Sequence, residues 1–546
     1  MRSDSRQGAA EPWFERATRD DLIAALIVSS LLLPQSLAYA LLAGLPPITG
    51  VIASLLPLLA YALLGSSRTL AVGPVAVLAA MTAQATAELA PASAPLAALV
   101  LAIEVGALMG LAALLRLDAL AALLGAPVLH GFVSGAALSI AIGQLPKLLG
   151  WQGGAPHALT AAFGIAALLL LWAARQRLGG WLRGRGMSAA SAQRLARLAP
   201  MLVVVLAIAA MALLPHEGMK LAGQLDFASG LRLPPLHEAP ASLWWDALPY
   251  AASLALVAYV ESLAVAQALA ARRGERVLPR RELLGLGAAN LAAGLSGGMP
   301  VTGGFARSGV AFEAGARTRW AGAFTALAFA LLVLLAAPWL ALLPQAVLAA
   351  TIIVAVLPLV EPEAFRRAWI YSRPESLLMG AVAAIALLGH AGTALAVGVA
   401  GSIALLLQRT ARPHWAEVGR LPGTADVFRN VKRFTVELSP RLLSIRIDEG
   451  LCFTNARWLS DMLWAELDRH PEAEHLVLMM SGVNDIDLSG LEALMQFAGE
   501  LRAKGKQLHL SELKGPVADR LLSAGLADWL PGQVFRTQAD AWSALA

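Results

Sequence analysis

Two residues of opposite charge stand in this chain where charge is costly. Glu261 lies within VAYVESLAVAQALA, with Ala, Leu and Val on both sides. An ionisable group deep in an apolar span costs several kcal/mol unless it is neutralised, hydrated or paired. Arg307 lies within LAAGLSGGMPVTGGFARSGVAFEAG, residues 291–315. Gly297, Gly298, Pro300, Gly303 and Gly304 break any helix that enters this stretch, because glycine loosens the backbone and proline lacks an N–H. Broken backbone at membrane depth is tolerated only where protein buries it or it lines a cavity. A guanidinium near the start of the resuming helix, beside free N–H groups and a positive dipole end, makes a site for an anion. Gln35 and Tyr39 are four residues apart and share one helix face, so together they can line a polar cavity.

Plainer roles compete for the same residues. Glu261 is either a structural carboxyl bonded to a neighbouring helix or a group that couples transport to a proton. Arg307 either binds an anion or serves as structural partner to Glu261 or Glu313. The two roles of Arg307 are compatible, since a carboxylate can hold the arginine until a substrate arrives. Glu104 is read as structural and His130 as interfacial. No His/Cys/Asp cluster has metal spacing, and no nucleophile–base pair is visible. Gly303-Gly304 lacks the Walker pattern of a phosphate loop. The single cysteine, Cys452, excludes an intrachain disulfide and a multi-cysteine metal site. The reading is therefore of a protein without cofactor or metal that is not an enzyme and is not driven by its own nucleotide hydrolysis.

The elements that must position these residues are membrane spans. Of the 546 residues, 58% are hydrophobic and 14% charged, with a mean hydropathy of +0.65. A soluble chain has about 25% charged residues. A span needs about 20 apolar residues. Fourteen full or partial spans are expected, near 22–43, 47–64, 74–88, 95–115, 120–146, 158–174, 198–214, 247–270, 282–296, 305–314, 320–336, 339–360, 375–390 and 392–408. The third and tenth are too short to cross alone. The loop 175–197 holds Arg175, Arg177, Arg183, Arg185, Arg194 and Arg197 without an acid, and 271–282 holds Arg272, Arg273, Arg276, Arg280 and Arg281. Fourteen crossings with the N-terminus inside put these loops in the cytoplasm, as the positive-inside rule requires. Arginines so placed speak for membrane topology rather than for nucleic acid. Residues 1–21 are polar and carry no cleavable signal pattern.

A faint repeat links the first and eighth spans. Gln35-Ser36-Leu37-Ala38-Tyr39-Ala40 resembles Glu261-Ser262-Leu263-Ala264-Val265-Ala266. Two seven-span halves of opposite topology follow, each with a Gly/Pro-interrupted segment two spans later: Gly73-Pro74, and Gly297 to Gly304. Paired broken helices of this kind point to a transporter's binding site. After Arg412-Pro413 the composition changes. Short strand-like runs (FTVEL, LLSIRID, HLVLMM, QLHL) alternate with amphipathic stretches over 434–546, which reads as an α/β domain. The expected organisation is a cytoplasmic segment 1–21, a transmembrane unit 22–412, a linker 413–433 and a cytoplasmic domain 434–546.

With these residues assembled, the chain resembles the SulP-type anion transporters, a permease family that includes solute-carrier anion exchangers. LLLPQSLAYALLAGLPPITG (31–50), HGFVSGAALSIAIGQLPKLLG (130–150) and the segment 282–319 carry the resemblance, and 434–546 with IDLSGLEAL (486–494) resembles a STAS domain. The resemblance implies an α-helical polytopic membrane protein with fourteen transmembrane segments. They form a seven-plus-seven inverted repeat with two half-helices, joined to a cytoplasmic α/β STAS domain. It implies a core of spans 1–4 and 8–11 moving against a gate of spans 5–7 and 12–14. It places an anion among Gln35, Tyr39, Val75, Ala76, Ala306, Arg307 and Ser308, with Glu261 as the proton-coupling residue and sodium as the alternative coupling ion. Many relatives have Ser where this chain has Ala306, and the usual acid-plus-Gly entry to the last span is His390-Ala391-Gly392 here. Leu488 replaces the common Ser after Asp487, while Ser489 keeps the position that is phosphorylated in some relatives. The function so implied is secondary active transport of a sulfate-like anion by an elevator-type homodimer in the inner membrane lipid, with both termini cytoplasmic. The alternatives are C4-dicarboxylate or bicarbonate uptake, or a membrane anchor for a STAS regulator.

Overall fold

The computed structural model describes residues 18–546 except 91–92, 119–124, 152–155, 189–191, 193–195, 197–198, 214–217 and 224–235. Most of the expected N-terminal segment 1–21 therefore lies outside the described residues. The chain divides into two units, before and after Ile403.

In the first unit, α1 (Arg19–Leu42) opens on a capping box. Thr18 Oγ1 accepts from the Asp21 N–H, and Asp21 Oδ2 accepts from the Thr18 N–H. The expected span 47–64 is two pieces, α2 (Pro47–Ile52) and α3 (Leu56–Leu64). β1 (Val72–Gly73) leads into α4 (Ala76–Leu89), then α5 (Ala94–Leu114) and α6 (Ala126–Leu149). α7 (Ala158–Ala173) runs on through a π turn into α8 (Gly179–Gly184), so the first part of the expected loop 175–197 is helical. α9 (Ala199–Leu213), α10 (Ala241–Ala271) and α11 (Pro279–Ser296) follow. β2 (Thr302–Gly303) leads into α12 (Phe305–Glu313). α13 (Trp320–Leu340), α14 (Gln345–Val356), α15 (Pro362–Tyr371), α16 (Arg373–Leu387) and α17 (Ala391–Ala411) complete the series. Proline in the first turn starts α2, α5, α6, α11, α15 and α16, where its missing N–H has no intrahelical partner to lose.

A helix lies at each of the fourteen expected positions, and among the described residues nine helical stretches are long and apolar enough to cross a membrane. α4 has 14 residues and α12 has nine. At 1.5 Å per residue they reach about 21 Å and about 14 Å, short of the roughly 30 Å hydrocarbon layer. They are half-helices. The strands before them pair antiparallel, Val72 with Gly303 and Gly73 with Thr302. This register maps onto itself when 72–73 and 302–303 are exchanged, as a two-fold axis between inverted halves demands.

The second unit is a six-stranded sheet. β3 (Trp415–Arg420), β4 (Phe428–Asn430), β5 (Leu442–Ile447), β6 (His475–Met479), β7 (Gln507–Ser511) and β8 (Val534–Phe535) take the order β4-β3-β5-β6-β7-β8. β5 to β8 run parallel, and β3 is antiparallel to β4 and β5. The helices are α18 (Ala456–Arg469), α19 (Leu488–Ala503), α20 (Gly515–Ser523), α21 (Leu526–Trp529) and α22 (Gln538–Leu545). One core joins Ile445, Leu463, Leu478, Phe497, Leu510 and Leu521. A second joins Ala416, Val418, Phe428, Leu442, Val477 and Trp542.

Two expectations change here. The segment 413–433, read as a linker, carries β3 and β4 and three residues of the second core, Ala416, Val418 and Phe428. FTVEL (434–438) forms only an isolated bridge, Glu437 to Arg420. Both differences have one cause: strand identity is set by partners far along the chain, and Trp415–Arg420 acquires its own from β5.

Candidate functional site

The crossing of β1 and β2 brings the N-termini of α4 and α12 together. Val75 is the N-cap of α4 and Ala76 its first residue; Gly304 is the N-cap of α12, with Ala306, Arg307 and Ser308 in its first turn. The first N–H groups of both helices have no intrahelical acceptor, and their dipole ends are positive. Glycine makes the approach possible. A Cβ on Gly73 would stand 3.2 Å from Arg307 Nη1, and one on Gly304 would stand 3.3 Å from Val75 Cγ2 and 3.4 Å from Arg307 Nη2. A Cβ at 73 would require the guanidinium to give by a few tenths of an ångström.

Arg307 is 2% exposed, and among the described residues neither Nη1 nor Nη2 has a hydrogen-bond partner. Leaving a buried charged donor unmade is expensive. Glu261, on α10, is half-buried, and its Oε2 is buried and likewise without a partner. Tyr39, on α1, is 7% exposed. Arg307, Glu261 and Tyr39 interact electrostatically with one another. Gln35 is half-buried one turn before Tyr39. A charged donor and a charged acceptor thus sit within electrostatic reach yet leave atoms unpaired, between two helix N-termini.

Ser308 is fully buried, and its Oγ accepts from the Ala71 N–H at 3.0 Å, which ties α12 to the chain just before β1 and leaves the O–H free to donate. Glu313 is exposed at the far end of α12. Glu104 is buried on α5 with Oε2 unpartnered. His130 pairs with Glu361 at 3.2 Å, both well exposed. Ser489 is the second residue of α19, behind an N-cap Asp487 whose Oδ1 accepts from the Gly490 N–H. Among the described residues no group of His, Cys, Asp and Glu could hold a metal.

Three residues that hold the site went unread in the sequence. Ser262, beside Glu261, shares a hydroxyl contact of 2.6 Å with Thr302 and accepts from the Gly303 N–H at 2.8 Å. Thr302 also donates to the Ala258 carbonyl. These bonds fix β2 to α10. Asn290 bonds both the N–H and the C=O of Val301, satisfying the broken backbone before β2. The one sequence signal was the repeated acid-or-amide followed by Ser, at 35–36 and 261–262.

Half-helices meeting end to end inside a multi-pass helical unit define the class: a membrane transporter. The Sulfate permease family model matches residues 19–382, and the STAS domain model matches 433–541. The chain belongs to the sulfate permease family and carries a STAS domain. It is 34% identical to a probable sulfate transporter of Mycobacterium tuberculosis, over 94% of this chain and 92% of that protein. It is 31% identical to the chloroplastic sulfate transporter 4.1 of Arabidopsis thaliana, over 93% of this chain and 77% of that one. Murine Solute Carrier 26 family member A9, an anion transporter solved in an inward-facing state, superposes with a TM-score of 0.86 at 22% identity, over 97% and 92% of the two chains. The transmembrane domain of a cyanobacterial bicarbonate transporter superposes at 0.61 and 20% identity, over 70% and 97%. At these identities the likeness concerns the fold.

Proposed function

We infer that the protein is a secondary transporter of a small, sulfate-like anion. The observation that carries this reading is Arg307, buried between two helix N-termini with both terminal nitrogens unpartnered. An oxyanion placed there meets a guanidinium and the free N–H groups of α4 and α12, with Tyr39 and Gln35 at the side. Backbone dipoles and one arginine recognise charge and size rather than elemental identity. The sulfate assignment therefore draws on the relatives, and bicarbonate and C4-dicarboxylates are the competing cargoes. Glu261 is the coupling group: it takes a proton on one side and releases it on the other as the site changes exposure. The alternation is elevator-like, with Val75 and Ala76 moving together with Arg307. The regulatory-anchor alternative gives no reason to keep a buried Arg307 beside Glu261 in the membrane unit.

The remaining features follow from the same reading. The protein lies in the inner membrane as a homodimer with both termini cytoplasmic, its arginine-rich loops facing the cytoplasm. Residues 22–412 carry transport, the STAS unit is regulatory, and Ser489 is its candidate modification site. The experiment is uptake into proteoliposomes across a panel of labelled anions, with and without an inward proton gradient. Accumulation of sulfate that collapses when the gradient is abolished is expected. Uptake of bicarbonate or a dicarboxylate alone changes the cargo; a response to sodium alone overturns the proton.

A further inference from the structure

The side chains of the proposed site come from α1 (Gln35, Tyr39), α10 (the coupling group Glu261) and α12 (Arg307). α12 has nine residues, too few to persist as a helix by its own hydrogen bonds. The place of Arg307 therefore depends on what grips the two ends of α12. The front end is held by Ser262, Thr302 and Ser308, as described. The back end is held by two charged residues that the site does not use.

Arg273 stands two residues past the end of α10. Its Nη2 donates to the Phe312 carbonyl at 3.2 Å, its Nη1 donates to the Ala316 carbonyl, and its guanidinium lies 4.4 Å from the centre of the Phe312 ring. Those carbonyls belong to the last turn of α12 and the turn after it, where a helix leaves acceptors without partners and where positive charge is favourable. Asp21, in the first turn of α1, is fully buried. Its Oδ1 accepts from the N–H groups of Arg317 at 2.7 Å and Thr318 at 2.9 Å, and its Oδ2 accepts from the Thr318 hydroxyl at 2.9 Å. The two helices that bring Tyr39 and Glu261 to the site thus each hold one short stretch, Phe312 to Thr318, directly behind Arg307.

We propose that Asp21 and Arg273 form a clasp that positions Arg307 relative to Glu261 and Tyr39. Neither touches the anion; both act through α12. The ends of α1 and α10 fix the register of the half-helix, so the unit bearing all three site residues moves as one body. Arg273 is more than one of several loop arginines that orient the protein in the membrane. The proposal rests on the anion-site reading of Arg307.

The test uses the full chain with Asp21→Asn, Arg273→Gln, Arg273→Lys and Arg307→Ala. Sulfate uptake into proteoliposomes gives KM and Vmax, and hydrogen exchange in detergent follows the amides of 305–318. Asp21→Asn and Arg273→Gln should each speed exchange across 305–318 while leaving 279–296 unchanged. Each should raise KM about tenfold with a smaller effect on Vmax, since small displacements of a positioned group are costly. Arg273→Lys should recover part of the KM, because an ammonium can still donate to one carbonyl but cannot bridge two or stack on the ring. A residue that only supported the fold would lower yield and melting temperature without moving KM. Wild-type exchange over 305–318 in both Asp21→Asn and Arg273→Gln overturns the clasp. An unchanged KM in Arg307→Ala overturns the anion site instead, and the exchange result still decides the clasp.

Discussion

Glu282 and Glu261 are both carboxylates inside the membrane unit, and the protein treats them in opposite ways. Glu282 is fully buried and accepts from Tyr61 Oη at 2.7 Å, from the N–H groups of Ser66 and Ser67 at 3.0 and 2.9 Å, and from the Ser66 hydroxyl. Four donors in and just after α3 converge on it, so it pins that turn to the start of α11. Asp21 is satisfied in the same manner by the turn after α12. Glu261 keeps one oxygen buried without a partner, beside an arginine whose two terminal nitrogens are also unpartnered. A saturated buried acid is a fastener, and its loss is felt by the fold. Glu261 differs from Glu104, whose Oε2 is also unpartnered among the described residues, in lying beside the charge of Arg307; on the proposed function its loss is felt by transport rather than by the fold.

The sharpest break of this contrast is Glu282→Ala. It removes the acceptor of the Tyr61 hydroxyl and of both Ser66 donors, and leaves the Ser67 N–H only its 3.3 Å contact with Tyr61 Oη, at about 1–3 kcal/mol for each buried donor. Loss of most monodisperse protein, or a melting temperature far below wild type, is expected in detergent. A variant that melts with the wild type would show that saturation does not identify the fasteners.

Glu261→Gln probes the other side of the contrast. The amide keeps the shape and cannot titrate, so folding and anion binding should persist. Accumulation driven by an inward proton gradient should be lost, and residual flux should not vary with external pH. The comparison is uptake at several external pH values in matched liposomes. A Glu261→Gln protein that still concentrates substrate in response to the gradient removes Glu261 from the coupling step.

His509 extends the contrast to the STAS unit with a smaller effect. It is buried; its Nδ1 accepts from the Gln533 N–H at 3.0 Å, and Nε2 faces His475 Nδ1 at 3.1 Å. The ring is thus satisfied in its neutral form. Burial, with His475 beside it, lowers its pKa to about 4. An unfolded histidine titrates near 6.5. The neutral form is favoured by folding, so its stability is present above about pH 6.5 and is lost as pH falls through about 4. Melting of the unit from residue 413 onward should fall over that window, and His509→Gln should flatten the fall. Equal pH dependence in both would detach the effect from His509.

Parts of this contrast were legible in the sequence. Gly297 to Gly304 announce a broken helix because no other residues tolerate one, and Glu261 and Arg307 announce themselves by their apolar surroundings. The two half-helices follow from their short apolar runs. Glu282 and Asp21 sit at span ends beside other polar residues, so nothing local separates a fastener from a solvated charge. Ser308 illustrates the same limit: nothing local shows that it also accepts from the N–H of Ala71, 237 residues away. Asn290 gives no local signal for the same reason, Ser262 gives only the repeat at 35–36 and 261–262, and β3 acquires its strand identity from pairing with β5.

On the proposed function, the Arg307 guanidinium, whose Nη1 and Nη2 have no hydrogen-bond partner among the described residues, receives the anion. Equilibrium binding of labelled sulfate to the detergent-solubilised full chain, wild type against Arg307→Ala, tests it most directly. Removing one charge-assisted donor should weaken binding about 10- to 100-fold, with weak binding left to the N-termini of α4 and α12. Equal dissociation constants for the two proteins would place the anion somewhere else.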